Sequence, residues 1–200
     1  MDSELSAATE ADEILDAVLA RSQWAATKQA HRAWNRKNAT KRRGLGLACY
    51  FHGTGFTGTG EIRLASVAAV ELLKGGYVRV RTSSTEMGQG TRTVFAQIVA
   101  ETLGLPCDRV ATFDPDTALV PDSGPTVASR TVAIVGRIVA DAAQALDRAL
   151  AAQAGRESGS PWSVRDFIRA GDAHLAAGGD PFFRARFANP SNQRFDDVSY

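Results

Sequence analysis

The sequence predicts an α+β fold in which hairpin strands form a mixed sheet and packed helices cover it. Residues 77–82 alternate in the two-residue period of a half-buried strand. Residues 91–103 repeat their apolar side chains at the 3.6-residue spacing of a helix, and residues 127–152 do so over a longer stretch. Gly75 and Gly76 separate the first strand-like run, 66–73, from the second, which favours a hairpin.

The remaining elements divide the chain into three parts. Residues 1–43 are predicted to form an N-terminal helix, from about residue 10 to 34, followed by a basic linker. Residues 44–155 form the α+β core, with further strand-like runs at 45–50 and 110–113. Residues 156–200 hold a short helix and an irregular tail that has no clear period.

Two helix boundaries are readable from single residues. Gly104 and then Pro106 are predicted to end the helix over 91–103, in the order that helix ends prefer. Ser160 and Pro161 favour the start of the short helix, with serine as its cap and proline at its first position.

A glycine-rich loop at residues 86–91 lies between the strand at 77–82 and the following helix. Glycine allows positive φ and lets a ligand approach bare N–H groups, and a helix start adds unpaired donors and a positive dipole end. The loop is therefore predicted to hold an anion such as phosphate, with the Gln89 amide as a further donor and acceptor. An ordinary tight turn that caps a helix is the alternative interpretation.

Residues 84–90, followed at helix spacing by residues 97–104, resemble the molybdenum hydroxylases of the xanthine dehydrogenase and aldehyde oxidase family. Residues 121–131 are similar to the next cofactor loop of that family. The resemblance implies an internal fragment of the large subunit, within its molybdopterin-binding domain. It implies cofactor contacts from Met87, Gly88, Gln89, Gly90, Ala128, Ser129 and Thr131.

A third segment, residues 43–48 running into 52–58, also resembles this family. The resemblance implies that Phe56 stacks on a flat heteroaromatic substrate and that Thr57 offers a hydroxyl to the ring edge. A core aromatic is the alternative interpretation of Phe56. Ala128 is small, which leaves room for metal ligands and substrate.

Residues 53–58 also satisfy the G-x-G-x-x-G pattern of dinucleotide-binding domains. That interpretation requires a helix directly afterwards, then a strand and an acidic residue about 20 positions further on. The hairpin over 66–82 and the serines at Ser83 and Ser84 argue against it. A nicotinamide dinucleotide-binding domain is therefore the weakest of three functional hypotheses.

The resemblance implies a molybdopterin-dependent hydroxylase or dehydrogenase that oxidises a purine-like N-heterocycle or an aldehyde with water-derived oxygen. Electrons would pass to iron-sulfur clusters and FAD on partner subunits or domains. The glutamate that serves as base in the family lies in a segment absent here, and Glu86 belongs to the cofactor loop, so we assign no catalytic residue. The second hypothesis is a noncatalytic cofactor-binding or interaction fragment that needs the remainder of the molybdenum subunit.

The composition of the chain indicates which classes of partner and which cellular location are expected. Hydrophobic residues make up 44% and charged residues 22% of the 200 residues, as in ordinary soluble globular proteins. The formal charge of +1 does not predict nucleic-acid binding, and the basic run over 32–43 is interpreted as a solvated helix end. Two distant cysteines favour a reduced, cytoplasmic location, and the scattered histidines predict no metal ligands. Neither a membrane span nor a signal peptide is predicted.

Overall fold

The computed structural model describes residues 11–50, 53–56 and 58–188, and the chain divides into two compact units, Met1–His52 and Gly53–Tyr200. The first unit contains helix α1 (Ala11–Arg21) and helix α2 (Trp24–Lys37). The sequence predicted one helix here. Gln23 breaks it, because its φ of 49° is left-handed, and the neighbouring Ser22 hydroxyl donates back to a carbonyl of α1.

The predicted strand at residues 45–50 does not form. Residues 44–50 make no backbone hydrogen bond with other parts of the chain that the structure describes. A strand exists only where a neighbour satisfies its N–H and C=O groups, and hydrophobic alternation alone does not supply one.

The second unit is built on a four-stranded sheet in the order β3-β2-β1-β4. β1 is antiparallel to β2 and to β4, while β2 and β3 are parallel, so the sheet is mixed as predicted. The strands are β1 (Val67–Leu73), β2 (Tyr77–Arg81), β3 (Val110–Ala111) and β4 (Phe182–Arg186).

The hairpin between β1 and β2 confirms the glycine turn. Gly75 and Gly76 have φ of 76° and 70°, a region that other residues adopt only with strain. A Cβ at Gly76 would lie 2.6 Å from Cγ1 of Ile168, so the turn also packs tightly against a helix.

The described residues of this unit form the α-helices α3 (Gly60–Leu64), α4 (Thr91–Leu103), α5 (Gly136–Ala154) and α6 (Val164–Ala176). Helix α4 and its glycine C-cap at Gly104, with φ of 66°, are confirmed. Among the described residues, every helix is too short or too polar to cross a bilayer.

Two predicted helix starts were wrong. The long helix begins at Gly136 rather than 127, after a π-helical turn at Thr131–Val135, because Ala128 and Ser129 shortly before that turn are left-handed. The short helix begins after Ser163, whose side chain accepts a hydrogen bond from the Asp166 N–H, and not at Ser160.

The predicted irregular tail contains a strand. β4 pairs with β1 from Val67–Arg186 to Glu71–Phe182, and its residues alternate between exposed and half-buried. The adjacent pair Phe182 and Phe183 hides this alternation in the sequence. Residues 189–200, which include the predicted tail residue Phe195, lie outside the described residues.

The core lies on one face of the sheet. Ala68, Val70 and Leu72 of β1 are at most 1% exposed and pack with buried side chains of α4, α5 and α6. In the part of the chain that the structure describes, the helices of this unit pack on this face of the sheet, which confirms the α+β class. The burial of roughly twenty apolar side chains there supplies the main driving force for folding.

A buried carboxylate fixes the loop between α5 and α6. Asp147 is 4% exposed and accepts hydrogen bonds from the Ser158 hydroxyl at 2.5 Å, the Gly159 N–H at 2.6 Å and the Trp162 indole N–H at 2.7 Å. One buried carboxylate thus holds two exposed loop residues, Ser158 and Gly159, and the buried indole of Trp162.

Asp147→Ala is expected to lower the free energy of unfolding by about 3 kcal/mol, because it leaves the buried Trp162 N–H without an acceptor and removes two further hydrogen bonds to a charged group. Urea denaturation followed by circular dichroism measures the change. Asp141→Ala on the same helix is the control: its pair with Arg137 is solvent-exposed, and removing it is expected to cost about 0.5 kcal/mol. Equal losses in both variants would contradict the role of Asp147.

Candidate functional site

Two loops of the second unit face each other across a groove of about 360 Å³. The first loop, residues 82–90, follows β2, and the second loop, residues 121–130, precedes the π-helical turn. The groove lining includes Met87, Gln89, Thr91, Ala128, Ser129 and Thr131. The structure thus brings both sequence-predicted loops to one place, although Gly88 and Gly90 do not line the groove.

Short hydrogen bonds hold the two loops together. The Ser83 N–H donates to Oγ of Ser123 at 3.1 Å, and the Ser123 N–H donates to Oγ of Ser83 at 2.8 Å. Further along, the Thr85 N–H donates to Oγ1 of Thr126 at 2.9 Å. Because each serine caps the backbone of the other, the two chain segments enter the groove in a fixed register.

The glycine elbow already holds an anion, the carboxylate of Glu86. It accepts N–H hydrogen bonds from Gly88 at 2.7 Å and from Gly90 and Arg92 at 3.1 Å. The hydrogen bond from the Arg92 N–H, followed by that from Gly90, holds the pKa of Glu86 below its ordinary value. The amides that the sequence predicted to be free for phosphate are therefore occupied by the chain's own side chain.

Gln89 also organises its own loop. Its Nε2 donates to the Thr85 carbonyl at 2.7 Å and to Oγ1 of Thr91 at 2.8 Å, while its Oε1 accepts the Met87 N–H at 2.6 Å. The side chain of Met87 is 69% exposed. The amide of Gln89 thus shapes the groove wall, and Met87 extends from it.

The second loop presents free donors in a strained backbone. Ala128 and Ser129 have φ of 52° and 51°, and left-handed backbone costs roughly 1–2 kcal/mol per residue for side chains other than glycine. Their N–H groups have no hydrogen-bond partner in the part of the chain that the structure describes. The donors expected from a helix start come instead from this turn, and strained turns of this kind cluster at ligand sites.

A buried ion pair between Arg130 and Glu61 anchors the second loop. Arg130 and Glu61 are 0% and 1% exposed, and Nη2 and Nε of the arginine lie 2.8 and 3.0 Å from the carboxylate oxygens. The remaining Arg130 donors reach Oγ of Ser66 and the carbonyls of Ser123 and Pro125. Sequence reasoning missed this pair, although an arginine between the hydroxyl residues Ser129 and Thr131 was its visible signal.

The same pair positions Phe56. Its N–H donates to Oε1 of Glu61 at 3.0 Å, and the Gly55 N–H donates to the Ala128 carbonyl at 2.8 Å. Phe56 is half-buried beside the second loop and does not line the groove itself. Thr57 lies outside the described residues.

The structure that follows residues 53–58 does not fit a dinucleotide-binding domain. The helix that follows, α3, has only five residues and leads into an antiparallel hairpin. A dinucleotide site needs a crossover helix between parallel strands.

The described residues contain no group of three or more His, Cys, Asp or Glu side chains arranged to hold a metal ion. The groove offers hydroxyls and backbone N–H groups instead. Such a lining suits an organic ligand with polar edges better than a bare cation.

The sequence profile described as the molybdopterin cofactor-binding domain matches residues 17–175 of this chain. Xanthine dehydrogenase/oxidase of Rattus norvegicus is 30% identical over 149 residues, which is 74% of this chain and 11% of that protein. The gamma subunit of the 6-hydroxypseudooxynicotine dehydrogenase complex of Paenarthrobacter nicotinovorans is 34% identical over 62% of this chain and 14% of its own length. The chain thus spans a minor part of the relatives it matches.

Solved structures agree on the fold. Aldehyde oxidoreductase from Desulfovibrio gigas superposes with a TM-score of 0.52 at 24% identity, over 68% of this chain and 14% of that one. Quinoline 2-oxidoreductase from Pseudomonas putida 86 superposes with a TM-score of 0.50 at 22% identity, over 63% of this chain and 19% of that one. The profile match covers most of the sequence, and the chain therefore belongs to the molybdopterin cofactor-binding domain family.

Proposed function

We propose that this chain forms one wall of the molybdopterin site of a molybdenum hydroxylase. The observation that carries the proposal is the convergence of the two loops on one groove, with the free N–H groups of Ala128 and Ser129 on one side and the loop shaped by Gln89 on the other. Family membership supplies the identity of the ligand.

The residues present fit this cofactor. Molybdopterin is a flat organic group with polar edges and a phosphate, and it brings its own sulfur ligands for molybdenum. The groove matches it with donors and hydroxyls, and a metal-ligand cluster is absent among the described residues. When bound, the cofactor supplies the metal centre at which the substrate carbon is oxidised.

Each loop contributes differently. The N–H groups of Ala128 and Ser129 and the hydroxyls of Ser129 and Thr131 donate to the polar edge or phosphate of the pterin. Gly88 and Gly90 allow the turn around the Glu86 carboxylate, and Gln89 locks it. The small side chain of Ala128 keeps the groove open.

The reaction we propose is oxidation of a purine-like N-heterocycle or an aldehyde with water-derived oxygen. Phe56 and Thr57 would orient the flat substrate next to the second loop. The catalytic base, the iron-sulfur clusters and FAD would come from the remainder of the molybdenum subunit and its partners. The xanthine dehydrogenase relatives support the purine-like substrate class.

A second candidate is a noncatalytic cofactor-binding or interaction fragment. Apolar side chains of the first unit favour it: Ile14 is 62% exposed, Val18 45% and Tyr50 85%, so this unit offers surface for a partner. Molybdenum content and substrate oxidation, measured on the chain alone and co-expressed with the rest of the subunit, separate the two. Cofactor retention without turnover in the assembled form would favour the second candidate.

Replacing the second loop's hydroxyls tests the cofactor contact. Ser129→Ala with Thr131→Val, in the assembled subunit, is expected to lower molybdopterin content at least about fivefold, since two hydrogen bonds of about 1 kcal/mol each are lost. Fluorescence of the oxidised pterin after extraction measures it. Thr93→Val, an exposed threonine of α4 outside the groove, is the control and keeps full content.

The buried pair is expected to govern the Phe56 loop. Glu61→Ala leaves Arg130 charged and unpaired, and should destabilise the chain by about 3–5 kcal/mol in urea denaturation. Glu61→Leu with Arg130→Met removes both charges and is expected to recover most of that loss. In both variants the Phe56 amide should exchange hydrogen faster, because its acceptor is gone. Unchanged exchange at Phe56 would contradict the link between pair and loop.

Acid is expected to loosen the first loop. Because the folded pKa of Glu86 is lowered, its stabilising contribution is complete above the ordinary carboxyl pKa and is lost as pH falls through the lowered value. The amide NMR shifts of Gly88 and Gly90 should therefore change together at acid pH. In Glu86→Gln that titration disappears. A titration that persists in this variant would show that another group controls the loop.

A further inference from the structure

The face of the sheet opposite the helices carries an excess of arginine. Alternate residues of β2 and β4 point to this face, and β1 runs between them. The chain as a whole has a formal charge of only +1, so this concentration is local. The arginine face consists of Arg79, Arg81, Arg184, Arg186, Val67, Ala69 and Glu71.

Among the described residues, a carboxylate pairs with the arginines of β2 but not with those of β4. Oε2 of Glu71 lies 2.7 Å from Arg81 and 3.4 Å from Arg79, which satisfies the β2 side. Arg184 lies over the Phe182 ring at 6.0 Å. Among the described residues, no carboxylate forms an ion pair with Arg184 or Arg186, so the β4 side keeps two uncompensated charges.

A groove of about 610 Å³ runs along this side. Val67 and Ala69 form its floor, and Ala69 is 2% exposed. Its walls are Arg81, Arg184, Arg186 and residues 118–122.

The carboxylates next to the groove are engaged in their own turns. Asp116 accepts the Ala118 N–H at 2.9 Å, and Asp122 accepts the Gly124 N–H at 2.8 Å. Neither carboxylate forms an ion pair with Arg184 or Arg186. The groove lining therefore holds three arginines against one carboxylate, Asp122, and the guanidinium groups of Arg184 and Arg186 remain available to a ligand.

The spacing of the charges specifies the ligand. Arg184 and Arg186 are two residues apart on β4, which corresponds to about 7 Å. Arg81 and Arg184 stand in register on either side of Ala69, about 10 Å apart across two strand spacings. An extended peptide with acidic side chains two positions apart has the same 7 Å repeat, and arginine binds carboxylates with two parallel hydrogen bonds.

We propose that the groove on the arginine face docks an extended acidic segment belonging to the rest of the molybdenum subunit. Its alternate carboxylates pair with Arg184 and Arg186, and the methylene groups of the acidic side chains lie on Val67 at the floor of the groove. The identity of the partner rests on the proposed function. The acidic chemistry of the segment rests on the charges and spacing of the face alone.

Titration with a synthetic peptide tests the chemistry. A labelled peptide of alternating glutamate and alanine is expected to bind the full chain, and binding should weaken as salt rises. Arg184→Glu with Arg186→Glu should weaken it at least about tenfold, because two charge-assisted pairs become repulsive. The control, Arg148→Glu with Arg165→Glu, makes the same change in net charge at exposed helix positions and should leave binding unchanged.

Three results would overturn the proposal. They are equal binding of a peptide of alternating glutamine and alanine, an equal loss in the control variant, and tighter binding of a single-stranded oligonucleotide than of the acidic peptide. If far-UV circular dichroism shows that the charge-reversed variant is unfolded, Arg184→Gln with Arg186→Gln decides in its place.

Co-expression with the coding region for the rest of the subunit tests the partner. In a host that makes no molybdopterin, the complex should form with the unaltered chain and the control variant but not with Arg184→Glu, Arg186→Glu. If the complex also forms with Arg184→Glu, Arg186→Glu, the proposed docking site is wrong. A complex that assembles through this face yet takes up no molybdopterin when supplied with it would instead contradict the proposed function.

Discussion

The buried pair between Glu61 and Arg130 is the constraint on which the site depends. One carboxylate receives the guanidinium of the second loop and the N–H of Phe56, so two chain segments that are distant in sequence, residues 56–61 and the loop that ends at Arg130, meet at one point. Neither charge is exposed, and an isolated charge at this depth would cost several kcal/mol. The strained backbone at Ala128 and Ser129 can persist because this pair holds the next residue in place.

Local signals in the sequence predicted the parts of the fold that local interactions determine. The glycine hairpin, helix α4 and its glycine cap all follow from residues within one turn of the feature itself. The two loops that are predicted to contact the cofactor were chosen from their residue patterns, and the structure brings them to one groove. Their mutual approach depends on Ser83 and Ser123, which are far apart in sequence and carry no pattern that links them.

The features that sequence reasoning missed depend on long-range partners. β4 exists because β1 offers it an edge, and residues 45–50 are not a strand because nothing in the described chain does the same for them. Glu86 was set aside as a mere loop residue. Its carboxylate is in fact the anion that the glycine elbow binds, and the spacing of two residues to Gly88 and four to Gly90 was the available signal.

The two faces of the sheet differ in chemistry: one packs the core, and the other carries the arginines. Its inner face is apolar and sealed by helices, so it can hold the loops rigidly without any partner. On its outer face Glu71 pairs with the arginines of β2, whereas no carboxylate among the described residues forms an ion pair with Arg184 or Arg186. Full burial of these two arginines without carboxylates would be unfavourable. A partner that covers this face therefore has to bring acidic groups. That requirement would make assembly selective without altering the core that positions the cofactor loops.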